Sequence, residues 1–141
     1  MQICTIGYQR KQLDDFFQTL QNQQISLLLD VRSYVTCGHP HFRAPVLEKA
    51  ASHLGMTYAW AKELGGKPRD KRLYTDGKPD YEKMAGTAQF KRGIQLLTQD
   101  LNHGRNVALM CMEADHNECH RSILITNYLQ AHMNIRVNHL S

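Results

Sequence analysis

The chain of 141 residues contains no apolar run long enough to span a bilayer, which argues against a membrane helix. It has no basic and apolar leader at its start: Ile3-Cys4-Thr5-Ile6 follows almost at once, so no secretory signal is expected. CxxC is absent, and four cysteines without an extracellular context read as thiols rather than as a disulfide framework. The cytoplasm is therefore the expected location, with no membrane partner. There is no internal repeat, no low-complexity tract and no sign of a second domain. Neither charge dominates: 17 Lys and Arg against 13 Asp and Glu leave a formal charge of +4, which suits anionic partners without requiring nucleic acid.

What is present is a chain of one-domain length with the composition of a folded globule. Residues 2–7 read as a strand ending at Gly7. Leu13, Phe16, Phe17 and Leu20 then mark one helical face. Residues 25–32 form a near-continuous apolar strand. Pro45 starts a helix with the stripe Leu47, Ala50, Ala51 and Leu54, and Gly55 caps it. Residues 56–60 suit a short third strand. Thr87 caps a further helix facing inward through Phe90, Ile94, Leu97 and Leu101 and closed by Gly104. Val107 to Met110 is a buried strand. Ile125, Leu129 and Met133, widened by Ile123 and Leu124, give the last long helix, and residues 135–139 a final strand. This alternation predicts a single α/β domain over 1–141: three layers, a mainly parallel sheet and helices on both faces. Between about 63 and 86 periodicity lapses into a basic stretch with Gly65-Gly66, Pro68, Gly77 and Pro79. That stretch is either a functional flap or partly disordered.

Ligands of open parallel sheets bind beyond the carboxyl ends of the strands. Three such ends carry unusual residues: Gly7-Tyr8, Asp30-Val31-Arg32-Ser33 and Cys111-Met112-Glu113. Cys119-His120-Arg121-Ser122 sits where the last long helix begins. Free N–H groups and the dipole favour an anion or a thiolate there, and Arg121 offers a two-pronged grip. The plainer alternative makes Cys119 a small buried hydrophobe and pairs Arg121 with Asp30 or Glu113. Cys111 is a nucleophile candidate or an inert core thiol. Glu113 projects to the face of Cys111 if the strand continues, as a general acid or base or as the neutraliser of Arg32 or Arg121. Asp30 and Arg32 share a face, either as substrate contacts or as an internal ion pair.

Two rival chemistries draw on the same chain. Cys111, Cys119 and His120, with Cys37, His39 and His41, are ligand types that zinc accepts, but their spacing matches no pattern with paired close cysteines. No cofactor is expected, and zinc stands as the alternative. The basic flap (Lys62, Lys67, Arg69, Lys71, Arg72, Lys78) is interleaved with Trp60, Tyr74 and Tyr81, a mixture suited to nucleic acid but equally to a solvated flap. Tyr8, Tyr34 and Tyr58 read as partly buried rim residues.

With these residues assembled, the chain resembles the domain of unknown function 488 family. The likeness rests on Thr5-Ile6-Gly7-Tyr8, Leu29-Asp30-Val31-Arg32-Ser33, Leu64-Gly65-Gly66, Phe90-Lys91-Arg92-Gly93, Leu109-Met110-Cys111-Met112-Glu113, Cys119-His120-Arg121 and His139. These run the length of the chain in order. The resemblance implies a small α/β cytoplasmic protein of bacterial type and supplies no reaction. Members often carry Ser-Arg before their Pro-x-Phe segment, where this chain reads Thr36-Cys37-Gly38-His39-Pro40-His41-Phe42; a basic contact there would pass to Arg43 or a histidine. A weaker likeness is to rhodanese and cysteine-phosphatase domains, which also place a cysteine after a strand and Arg-Ser at the next helix start. Nine residues separate Cys111 from Arg121, more than the five of those loops, so their tight cradle does not carry over.

The leading expectation is a small enzyme, a transferase or hydrolase, acting on an anionic phosphate- or sulfur-containing substrate. Cys111 or Cys119 would be its thiol, Glu113 its proton relay, and Arg121, His120, Arg32, Asp30, Tyr8 and Ser122 its anion-binding groups. The alternative is a non-catalytic nucleotide or nucleic-acid binding module.

Overall fold

A computed structural model describes residues 1–36 and 38–141. Among these lie β1 (Gln2–Gly7), α1 (Leu13–Asn22), β2 (Leu27–Asp30), α2 (Ala44–His53) and β3 (Thr57–Trp60). A hairpin of β4 (Tyr74–Thr75) and β5 (Lys78–Pro79) follows, then α3 (Tyr81–Ala85), α4 (Ala88–Asn102), β6 (Val107–Cys111), α5 (Asn127–His132) and β7 (Arg136–Leu140). Five strands make one parallel sheet in the order β3-β2-β6-β1-β7.

Side-chain alternation along each strand divides the core into two layers. Leu27 and Leu29 of β2 and Val107 and Leu109 of β6 pack with Phe90 and Leu97 of α4 and Leu129 of α5. Leu28, Ala108 and Met110 point the other way, against Phe16 and Leu20 of α1 and Leu47 of α2. The chain is thus the three-layer α/β structure that its alternating pattern predicts. No helix among the described residues is long and apolar enough to cross a membrane.

Topology fixes where a ligand can sit. The helix after β1 packs on one face and the helix after β6 on the other, and these two strands are neighbours, with Gly7 opposite Cys111. The chain therefore leaves the sheet in opposite directions at this point, and in such sheets ligands bind at the carboxyl ends of the strands that flank the switch, here β1 and β6.

Three local features differ from expectation. The lapse in periodicity after Glu63 corresponds to elements too short to show a period: turns of 3-10 helix at Lys62–Leu64 and Lys71–Leu73, the hairpin, and the five-residue α3. The last helix opens as a π-helix over Arg121–Thr126 before α5. Its wider turns leave Ile123 40% exposed while Leu124, Ile125 and Leu129 stay buried, so Ile123 does not widen the inward stripe. Leu54 likewise lies past the end of α2 and is exposed.

Candidate active site at the switch point

β6 is buried along its whole length, and its last residue, Cys111, places its sulfur at the switch point on the α4/α5 side of the sheet. The chain then turns through a short 3-10 segment, His116–Glu118, and returns at Cys119. The Sγ atoms of Cys111 and Cys119, eight positions apart in sequence, are joined as a disulfide across this loop, while Cys4 remains a buried free thiol in the opposite layer. The expectation of four free thiols is corrected in that respect. The bridge closes one loop at the sheet edge and is no framework.

Arg121 is the largest fully buried side chain in the fold. Its Nη1 donates to Cys111 Sγ at 3.0 Å and to the Glu113 carbonyl oxygen at 2.7 Å, and its Nη2 lies 3.4 Å from the Ala114 carbonyl oxygen. Nε is buried without a partner, and among the described residues no carboxylate forms an ion pair with this guanidinium. Burial pushes its pKa below the usual arginine range, with the charges of Glu113 and Asp115 working against that shift. The longer loop between Cys111 and Arg121 does not keep them apart: the guanidinium folds back under the loop and reaches the strand-end sulfur.

Glu113 shares the face of Cys111, and its Oε2 stands 3.3 Å from Cys111 Sγ. Its carboxylate thus faces the Cys111 sulfur and, among the described residues, forms no ion pair with Arg32 or Arg121. Gly7 explains how the loop comes so close, because a Cβ there would collide with the Glu113 carbonyl oxygen.

Cys119 Sγ lies 3.5 Å from the backbone N of Arg121, which donates to it, and 3.8 Å from Nδ1 of His120. The other ring nitrogen of His120, Nε2, meets the carbonyl oxygen of Val31 at 2.6 Å. A carbonyl can only accept, so Nε2 carries the hydrogen, and in the neutral ring Nδ1 presents a lone pair on the Cys119 side. Burial pushes the His120 pKa down, favouring that neutral form. Gly66 packs directly on this ring, where a Cβ would fall 2.6 Å from Cγ. Ser122 is buried in the π-helical turn behind Arg121, and its carbonyl accepts from Thr126 Oγ1.

The other anion-binding candidates belong to the opposite layer. Asp30 is fully buried and takes Arg32 in a two-pronged pair, Nε to Oδ1 at 2.9 Å and Nη2 to Oδ2 at 2.7 Å. Tyr58 donates to the same carboxylate at 2.6 Å, and the Arg32 guanidinium carbon lies 5.4 Å from the Tyr8 ring centroid. Tyr8 is itself buried and stacked on Phe42. The side chains of Asp30, Arg32 and Tyr8 are therefore a closed internal cluster away from Cys111 Sγ, although the backbone N of Tyr8 donates to the Cys111 carbonyl oxygen at 3.1 Å.

Among the described residues, Cys111, Glu113 and Cys119 are the group whose ligand atoms lie close enough to share a metal ion. His39 and His41 meet edge to face, and His39 does the same with Phe42, whose cluster lies on the other face of the sheet from that group; Cys37 lies outside the described residues. Arg43, the suggested heir of a basic contact, reaches only the Gly38 carbonyl oxygen at 3.4 Å.

One pair escaped the sequence reading. His116 and His139 stack with ring centroids 3.6 Å apart, and Thr5 Oγ1 lies 2.6 Å from His139 Nδ1. Burial, then the charges of His116 and Arg121, hold the His139 pKa below the usual histidine value. His139 carried a signal only as part of the family likeness, and His116 only as one more polar loop residue.

A three-layer parallel α/β chain with a cysteine pair and a buried arginine at its switch point is the class that these features define. The profile of the family described as Domain of unknown function DUF488 matches residues 12–128, and the chain belongs to that family. No curated protein and no solved structure matches it.

Proposed function

We propose that the chain is a thiol-dependent enzyme, a transferase or hydrolase acting on an anionic phosphate- or sulfur-containing substrate, with Cys111 as nucleophile. One observation carries this reading: the fully buried guanidinium of Arg121 has no carboxylate partner among the described residues, and Nη1 lies 3.0 Å from Cys111 Sγ. A buried cation needs a counter-charge, and reduction of the cysteine pair creates one at that sulfur. The thiolate is then stabilised where the strand ends. Glu113 Oε2, 3.3 Å away, receives the thiol proton and returns it to the leaving group.

Cys119 resolves the intermediate when the transferred atom is sulfur. The Cys111 thiolate attacks the outer sulfur of a sulfane donor, the donor's remainder leaves as an anion, and Cys111 holds a persulfide. His120 Nδ1 takes the Cys119 proton, and the Cys119 thiolate attacks Cys111 Sγ. Sulfide leaves, and the disulfide forms with loss of two electrons to that sulfur. A small dithiol reductant restores the pair. Cys111 and Cys119 are each only 1% exposed, so substrate entry requires residues 112–118 to swing aside.

The test is alkylation of the reduced native protein against pH, read cysteine by cysteine by mass spectrometry, with and without phosphate or sulfate. Cys111 is expected to react at pH values well below the free-thiol pKa of about 8.5, and the anion to protect it. If Cys111 titrates like an ordinary thiol, or reacts only on unfolding, covalent catalysis at this site is ruled out.

A further inference from the structure

A cleft of ≈ 800 Å³ opens beside the thiol site without including it. Its floor is the turn after β2, its walls are the segment from Trp60 to Asp70 and the first turn of α4, and among the described residues neither Cys111, Cys119 nor Arg121 lines it. The segment is anchored on both sides. The backbone N of Lys67 donates to Ser33 Oγ at 2.8 Å, and Gly66 packs on the His120 ring.

Three kinds of recognition group converge there. Trp60 and Tyr34 are the aromatic ones, 44% and 51% exposed, and Trp60 is pinned at its edge by Nε1 donating to the Arg32 carbonyl oxygen at 2.8 Å. Exposing two large rings on an ordered wall leaves flat apolar faces open for stacking. The cations are Lys62, Lys67 and Arg69, all exposed and, among the described residues, in no ion pair. Two acids adjoin them on the lining: Asp70 is already held by Arg72 at 2.9 Å, and Glu63, next to Lys62, forms no ion pair among the described residues, which leaves three cations against one free carboxylate. The third is the start of the fifteen-residue α4, where Thr87 Oγ1 accepts from the Phe90 N–H and the N–H groups of Ala88 and Gln89 remain free of intrahelical partners. That end favours a phosphate.

We infer that this cleft binds a nucleoside monophosphate unit, its base stacked on Trp60 and Tyr34 and its phosphate held between Lys62, Lys67, Arg69 and the start of α4. The site does not depend on the cysteine chemistry. Its flap neighbours take no part in stacking: Tyr74 donates its hydroxyl to the Pro68 carbonyl oxygen at 2.9 Å, and Tyr81 packs against the core.

Trp60 is the only tryptophan in the chain, so fluorescence excited selectively at tryptophan, beyond the absorption of the six tyrosines, reports on this cleft. The full protein is titrated with adenosine monophosphate, adenosine, inorganic phosphate and a short single-stranded oligonucleotide. The expected result is a saturable change with adenosine monophosphate, tighter than with adenosine or phosphate and weakened by salt. A Lys67→Ala, Arg69→Ala double variant, at exposed positions and folded by circular dichroism, weakens it about tenfold or more. Tyr34→Ala weakens the nucleotide about fivefold or more while leaving phosphate unchanged. An oligonucleotide binding more tightly than the mononucleotide identifies a strand as the source of the unit, and the reverse identifies the free nucleotide. The absence of any saturable change, or an unaltered titration in the double variant, overturns the inference.

Discussion

At the residue scale, two arginines of similar appearance in the sequence have opposite partners. Arg32 lies two residues from Asp30 and closes on it, while Arg121 is left with carbonyl oxygens and one sulfur. Two substitutions separate these roles. Arg121→Gln is expected to raise the apparent pKa of Cys111 by about 1–3 units, as loss of an adjacent opposite charge does. The pH profile of Cys111 alkylation measures it, and an unchanged profile would sink the thiolate assignment. Asp30→Asn strands a buried guanidinium and should cost about 3–5 kcal/mol in urea unfolding while leaving the Cys111 profile in place. The association of Cys111 with Glu113 was legible because strand alternation puts i and i+2 on one face. The separation of Asp30 from Cys111 was not, because their layers depend on the register of two strands far apart in the chain.

At the scale of elements, the site is made by close approaches that only glycine permits. Gly7 ends β1 against the carbonyl oxygen of Glu113, the same oxygen that accepts from Arg121 Nη1. Gly7→Ala must push that loop outward. Its expected signature is about 1–3 kcal/mol of lost stability together with a Cys111 profile moved toward an ordinary thiol. Normal stability and an unmoved profile would show that the loop is not positioned this way. Such contacts leave a glycine in the sequence but not its partner. The long elements were readable because periods of two and four repeat enough times to be recognised: α4 shows its cap at Thr87 and its buried Phe90 and Leu97. The flap was not, since elements of two to five residues are shorter than one full pattern. The π-helical opening also hides, because its apolar residues still read as spaced for an α-helix.

At the scale of the whole molecule, buried neutral histidines make stability depend on pH. Burial holds the folded-state pKa values of His120 and His139 below the ordinary histidine value of 6.5. The unfolded chain therefore takes up protons first as pH falls through that value. The stabilising contribution is complete above the unfolded pKa and is lost progressively below it, toward the lower folded values. Urea midpoints should therefore drop as pH falls below about 6.5, and the drop should be shallower in a His120→Gln variant. An identical pH slope in that variant would remove His120 from the account. Parallel three-layer architecture was legible from the order of elements. The location of the switch between β1 and β6 was not, because strand order is a property of the assembled sheet.

That strand order also bears on how the chain reaches its fold. β1 is made first, yet its neighbours are β6 and β7, and the pair Cys4 and Ala108 is more than a hundred residues apart in sequence. Until the last third of the chain arrives, β1 has an unpaired edge on both sides and apolar residues on both faces. Closing so long a loop must precede any reward from pairing, which makes refolding slow and dominated by non-local contacts. A fragment ending before Val107 should therefore aggregate rather than form a smaller sheet, and the thiol site, which needs the end of β6 beside the end of β1, exists only once that long loop has closed.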